Sequence, residues 1–125
     1  MNEKTVWPAL HYDDAKAAIR LISDVFGFRE TLTVPDVDGD IVHAELRWPE
    51  GGGVMLGSTK HCKLTSGTVS LCVVSDEVDA VYERVRAAGV DISEDLHDTD
   101  YGSHTFTARD LEGNLWTFGT YRGAP

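Results

Sequence analysis

Residues 14–28, DAKAAIRLISDVFGF, and residues 76–90, DEVDAVYERVRAAGV, carry one pattern twice. Each runs from an Asp to a Gly over the same span, Asp14 to Gly27 and Asp76 to Gly89. Ile19, Ile22 and Phe26 recur at helical spacing in the first, as do Val78, Val81, Val85 and Ala88 in the second. An Asp accepts the orphan N–H groups that open a helix, and a Gly takes the left-handed conformation just past its end. The pattern predicts two amphipathic helices of about three turns, started by Asp14 and Asp76.

Strand-like runs flank both helices. TVWPALHY (5–12) precedes the first and TVSLCVV (68–74) the second. After the first helix come ETLTV, IVHAELRW and GGVMLGS, separated by the turn segments PDVDGD and PEGGG. After the second come VDISED, SHTFTARD and NLWTFGTY, separated by HDTDYG and LEG. The order is βαβββ twice, over about residues 5–58 and 67–121, with TKHCKLTSG as the joint. Neither copy can bury a full core alone. The expectation is a single α+β domain spanning residues 1–125, whose paired βαβββ modules form a cup-shaped, mostly antiparallel sheet with helices outside.

The bulk chemistry narrows the function. The chain has 125 residues, 42% hydrophobic and 26% charged, as in soluble globular domains. No apolar run approaches the roughly 20 residues that span a bilayer, so no membrane partner is expected. The opening MNEKTVWPAL lacks the basic-then-apolar order of a signal peptide. Cys62 and Cys72 make neither a metal spacing nor a disulfide framework, which fits a reducing, cytoplasmic setting. Twenty-one acids against 11 bases give a net charge of −10, which excludes phosphate-backbone binding and hence nucleic acid as a partner. The same excess serves solubility and would attract cationic ligands.

Alternation sorts the strand residues into faces. Val6, Leu10 and Tyr12 oppose Trp7, Ala9 and His11, and Val69, Leu71 and Val73 oppose Ser70, Cys72 and Val74. Val42, Ala44, Leu46 and Trp48 oppose Ile41, His43, Glu45 and Arg47. In the last strand Trp116 and Phe118 oppose Leu115, Thr117 and Gly119. The consistently apolar face is expected against the helices. The mixed face, with Trp7, His11, His43, Glu45, Ser70 and Thr117, is expected to line a groove or meet solvent.

The paired modules, VFGF, HAEL, GGGVMLG and the closing RDLEGNLWTFG together resemble the vicinal oxygen chelate superfamily, the group of glyoxalase I, extradiol dioxygenases, and the fosfomycin and bleomycin resistance proteins. The resemblance covers essentially the whole chain. Its most specific part is the last motif, with Arg109, Asp110, Gly113, Asn114 and Trp116. In metal-dependent members, His and Glu ligands come from four strands. Counting from this chain's own glycines puts those positions at Trp7, Ser70, Thr117 and, within one or two residues, Gly57, with Met55 and Leu56 as alternatives. None is a carboxylate or an imidazole, so the resemblance implies a member without the usual metal site, and no cofactor is expected.

His43 and Glu45 emerge on one side of a strand and, with His11 and His104, could form an acid–base cluster. The plain alternative is a polar strand surface. Cys72 reads as a small buried hydrophobe and Cys62 as an exposed linker thiol. The glycines at 51–53 lack the Lys-Ser/Thr ending of a phosphate loop and read as a hairpin turn. Trp7 suits stacking on an aromatic or cationic ligand, or simple packing on Met55.

Two functions follow as expectations. One is small-molecule binding or sequestration of the bleomycin-resistance type, with antibiotic resistance as its use. Its ligand contacts would be Trp7, His11, His43, Glu45, Met55, Ser70, Tyr101, His104 and Thr117, around a cationic or aromatic ligand. The other is a metal-independent isomerase or lyase using His43, Glu45 or His104. The family resemblance also implies a homodimer.

Overall fold

Asp14 opens the first helix as expected, its carboxylate accepting from the Ala17 N–H at 3.1 Å. In the computed structural model, which describes residues 6–62 and 68–124, that helix has two parts. Helix α1 (Ala15–Arg20) is α-helical and continues as a π-helical turn over Leu21–Phe26. The Ser23 hydroxyl donates to the Ile19 carbonyl at 2.6 Å, a side-chain bond that competes with the regular ladder and bends helices. Gly27 then ends the segment with φ 97°, its N–H reaching the Ile22 carbonyl. Apolar spacing alone does not distinguish an α from a π turn. Ile19, Ile22 and Phe26 are buried all the same.

The second helix, α2 (Val78–Ala87), starts one residue later than Asp76 implied. Glu77 is its cap residue and offers no side-chain bond, while the buried Ser75 hydroxyl accepts from the Glu77 N–H at 2.8 Å. The Asp76 carboxylate accepts from Arg122 at 2.8 Å. Val78, Val81 and Val85 are buried as expected. Ala88 is exposed because it lies past the helix end, where Gly89 turns the chain at φ 73°.

The eight strands are β1 (Ala9–Tyr12), β2 (Arg29–Pro35), β3 (Ile41–Arg47), β4 (Gly53–Ser58), β5 (Ser70–Val74), β6 (Asp91–Asp98), β7 (His104–Arg109) and β8 (Leu115–Gly119). They form two four-stranded mixed sheets, ordered β1-β4-β3-β2 and β5-β8-β7-β6. In each, one pairing is parallel (β1 with β4, β5 with β8) and the others are antiparallel. The architecture is α+β. The chain divides into two compact units, Met1–Gly67 and Thr68–Pro125. Strand β1 begins at Ala9, so Trp7 precedes it, and Thr5 and residues 63–67 of the expected joint lie outside the described residues. Strand β6 runs on through His97 and Asp98, which the sequence had suggested were turn. No helix among the described residues is long and apolar enough to cross a membrane.

Each module has its own core. In the first, Leu10, Tyr12, Ala44, Leu46, Val54 and Leu56 are buried, and Phe28 meets Trp48 with centroids 4.9 Å apart. In the second, Trp116, Phe118, Phe106 and Ala108 are buried, with Phe106 stacked on Phe118 at 5.3 Å. The expected alternation fails at Val6 and Val69, which precede β1 and β5 and are exposed, and again within β3. Ile41 is buried and Val42 is 40% exposed, the reverse of the expected parity. On β2, Val34 and Pro35 are consecutive, but their partners His43 and Ile41 are two apart. Val42 is therefore the extra residue of a bulge, and strand parity inverts beyond it.

The turn from β7 to β8 is organised by the buried Asp110. Its carboxylate accepts from the Glu112 and Asn114 N–H groups (3.0 Å each), the Asn114 amide (3.2 Å) and the Trp116 indole (3.0 Å). Asn114 in turn accepts from the Val69 N–H at 2.9 Å, tying the approach to β5 to this turn. Asp110→Ala should lower the unfolding free energy by about 3–5 kcal/mol, since several buried donors lose their acceptor. Asp110→Asn, which keeps the shape, should lose roughly 1–3 kcal/mol. Urea denaturation checks both; equal stability of Asp110→Ala and the parent would refute this role.

Candidate functional site

The two sheets each carry a buried face and a mixed face, and the mixed faces hold most of the expected site residues. On the first sheet, Glu45 of β3 stands opposite Met55 of β4, Met55 is in register with Ala9 of β1, and His11 with Gly57. His43 Nε2 lies 2.9 Å from Glu45 Oε2, so the i, i+2 placement does bring these two together. A carboxylate fixing one ring nitrogen leaves the other to act on a ligand. Trp7, half-buried, meets a partner that the sequence reading did not give it. The Arg47 guanidinium lies over its ring, 5.0 Å from the centroid, and the ring edge covers Gly53.

On the second sheet, Cys72 of β5, Thr117 of β8 and Thr107 of β7 are neighbours in register. The Thr117 hydroxyl shares a hydrogen bond with the Thr107 hydroxyl at 2.8 Å. Cys72 and Thr117 line a shallow pocket of about 80 Å³ together with Tyr101, Ser103, Gly119 and Tyr121. Tyr101 is largely exposed and meets Tyr121 edge to face at 5.3 Å. Ser70 begins β5 and is exposed. Cys72 is exposed rather than buried, because it lies on the mixed face of an edge strand. Cys62 is half-buried, its N–H closing the short 3-10 turn Thr59–His61 on the Thr59 carbonyl.

His104 does not join this face. Its parity is that of Phe106, and its ring is held on the α2 side, with Nε2 2.6 Å from Asp79 Oδ1 and Nδ1 2.6 Å from Asp98 Oδ1. Asp79 first, and then Asp98, raise its pKa above the ordinary 6.5. With both ring nitrogens committed, His104 ties β7 to α2 and β6. A second cluster lies at the β2–β3 turn. Asp36 accepts from His61 (2.9 Å) and Lys60 (3.0 Å), which together hold its carboxyl far below the ordinary carboxylate range. The Asp79–His104 and Asp36–His61 pairs have no local signature, since each joins residues 25 apart in sequence; only Asp98 lies near His104 along the chain.

This geometry agrees with comparison to known proteins. The family model of the Glyoxalase/Bleomycin resistance protein/Dioxygenase superfamily matches residues 5–118. The chain belongs to this superfamily. It is similar to TioX from Micromonospora sp. ML1, at 34% identity and a TM-score of 0.82 over 94% of this chain and 98% of TioX. It is 30% identical over 127 residues to an uncharacterized protein of Mycobacterium tuberculosis, covering 94% of this chain and 74% of that one. A lactoylglutathione lyase from Agrobacterium tumefaciens shares the fold, at 22% identity and a TM-score of 0.73 over 95% of each chain.

The positions that the resemblance implies for metal ligands can be compared between the modules by register. Ala9 and Cys72 lie two residues after Trp7 and Ser70, and they pair with Met55 and Thr117. Met55 is thus the first module's counterpart of Thr117, in preference to Gly57 or Leu56. Taken module by module, the indole and thioether of the first, and the two hydroxyls of the second, one of them bonded to Thr107, are poor donors for a hard divalent ion.

The His104 clamp makes a pH prediction. A His whose folded pKa is raised adds stability that is fully present below its unfolded value and is lost as pH rises through the folded one. The parent should therefore lose more stability than His104→Asn between about pH 6 and pH 9. Thermal unfolding at the two pH values checks this, and parallel losses would contradict it.

Proposed function

We propose that this protein binds and sequesters a flat aromatic small molecule without a metal and without turning it over. The observation that carries the reading is Trp7. A half-exposed indole stands where the superfamily's first metal ligand would come, and a ring there is a stacking surface rather than a ligand. The other three positions supply no strong donor for an ion. The first module's mixed face adds Met55 and His11; Tyr101, Ser70 and Thr117 lie in the second module.

Of the two ligand chemistries expected, aromatic and cationic, the structure supports the aromatic one. Arg47 already occupies the place over Trp7 that a stacked cation would take. Glu45, which would have supplied negative charge, is bonded to His43. A cation would have to displace one or both. Sequestration of this kind suits antibiotic resistance and a cytoplasmic protein that acts as a homodimer, a common way of covering the edge strands of four-stranded sheets such as these. Light scattering at micromolar concentration should report twice the chain mass; a monomer would count against the dimer.

One observation favours a second reading. The His43–Glu45 pair at 2.9 Å has the form of an oriented general base, as a metal-independent isomerase or lyase would need. The experiment that separates the readings uses protein purified without chelator or affinity tag. Elemental analysis should find no stoichiometric zinc, nickel, manganese or iron. Fluorescence titration with neutral and cationic flat aromatics should show saturable binding, with neutral compounds at least equal. Trp7→Ala should weaken it roughly threefold to tenfold, about 0.5–1.5 kcal/mol of stacking. Product formation that disappears in His43→Ala would establish the enzyme instead.

A further inference from the structure

Arg29 and Arg47 stand directly opposite each other on β2 and β3. Opposed residues of an antiparallel pair project from the same face, and like charges placed so are destabilising. The chain has 21 carboxylates, yet neither arginine makes an ion pair among the described residues. Glu45, two residues from Arg47 on the same face, is bonded to His43.

The duplication supplies an internal comparison. Arg29 lies two residues after Gly27, as Asp91 lies two after Gly89. Arg47 pairs with Gly53 at the start of β4, as Arg109 pairs with Leu115 at the start of β8. The same register position is therefore an ion pair in the second module, with Arg109 Nε 3.2 Å from Asp91 Oδ2, and two arginines in the first. The fold accepts either. What differs is the surroundings: Arg29 and Arg47 line a cavity of about 270 Å³ with Trp48, Pro49, Gly51 and Gly52. Gly51 (φ 118°) and Gly52 (φ 85°) give that wall backbone and no side chain.

We propose that Arg29 and Arg47 form a binding site for the oxyanion end, carboxylate or phosphate, of a small molecule. Two guanidinium groups present planar forks of donors that match such oxygens. A chain of net charge −10 repels anions at long range, so retention of one reports a local site. The proposal stands independently of the sequestration reading, since Trp7 does not line this cavity.

The test is an NMR titration at constant ionic strength that follows the Arg29 and Arg47 Nε–H signals, with inorganic phosphate in one arm and benzoate in the other. At least one anion should saturate both signals, and which binds more tightly identifies the source of the oxyanion. R29Q and R47Q should each weaken binding by about tenfold or more, whereas K16Q, with the same change in net charge, should leave it unchanged. R29D should abolish binding while giving the first module the equivalent of the second module's ion pair, raising Tm by roughly 1–4 °C. Because Arg29 is exposed on an edge strand, its variants keep the fold. Absence of saturation by either anion, R29Q binding as the parent does, or K16Q weakening as much as R29Q would overturn the proposal.

Discussion

The second module depends on one buried carboxylate. The two oxygens of Asp110 accept from four N–H donors of Glu112, Asn114 and Trp116. Charge-assisted bonds of this kind are stronger than neutral ones, and the arrangement meets the desolvation of a buried carboxylate with fixed donors. It also orients the largest side chain of that core, because the Trp116 indole can bond Oδ2 only from one ring position. Through Asn114 the same hub reaches Val69 and sets where β5 begins to run beside β8. The motif that most clearly marks the superfamily is thus, in this chain, a device for building β8 rather than a set of reactive groups.

The first module solves the same turn differently. Between β3 and β4 the chain uses Gly51 and Gly52 at positive φ, with Trp48 N–H bonded to the Gly52 carbonyl at 3.0 Å. Backbone freedom replaces a carboxylate hub. Gly53 is small for a separate reason: a Cβ there would meet the Leu46 carbonyl oxygen at 2.5 Å and the Trp7 ring at 3.0 Å. Two modules of one topology therefore differ at the turn where each last strand begins, and it is there that Trp7 and the opposed arginines are found.

Most of the fold was legible because it follows from periodicities of the chain. Strand parity placed Leu10, Tyr12, Ala44, Leu46, Trp116 and Phe118 inside, and Gly27 and Gly89 ended their helices. What escaped were effects that need a partner strand or a distant residue. Val42 is displaced by a bulge against β2, and the π turn lies where Ser23 bonds back to Ile19. The site was legible in part. His43 and Glu45 meet because i, i+2 geometry is local to a strand, whereas His104 is drawn to the helix side by Asp79 and Asp98. Arg47 was placed on the correct face, but nothing in the sequence said that its partner would be an indole.

That choice of partner sets the electrostatics of the first sheet. Along the mixed face of β3 the order is His43, Glu45, Arg47, and Glu45 lies two residues from each basic neighbour. It bonds His43, which leaves Arg47 to the π face of Trp7, and a ring quadrupole steadies a cation without neutralising it. With Arg29 opposite, the end of the sheet near the β3–β4 turn carries two full positive charges on a chain whose net charge is strongly negative. At about 0.1 M salt, charges more than roughly 10 Å away are largely screened, so a ligand at this end meets the local charge rather than the net one. The acidity of the whole chain therefore does not decide what this face attracts; the pairing of one glutamate does.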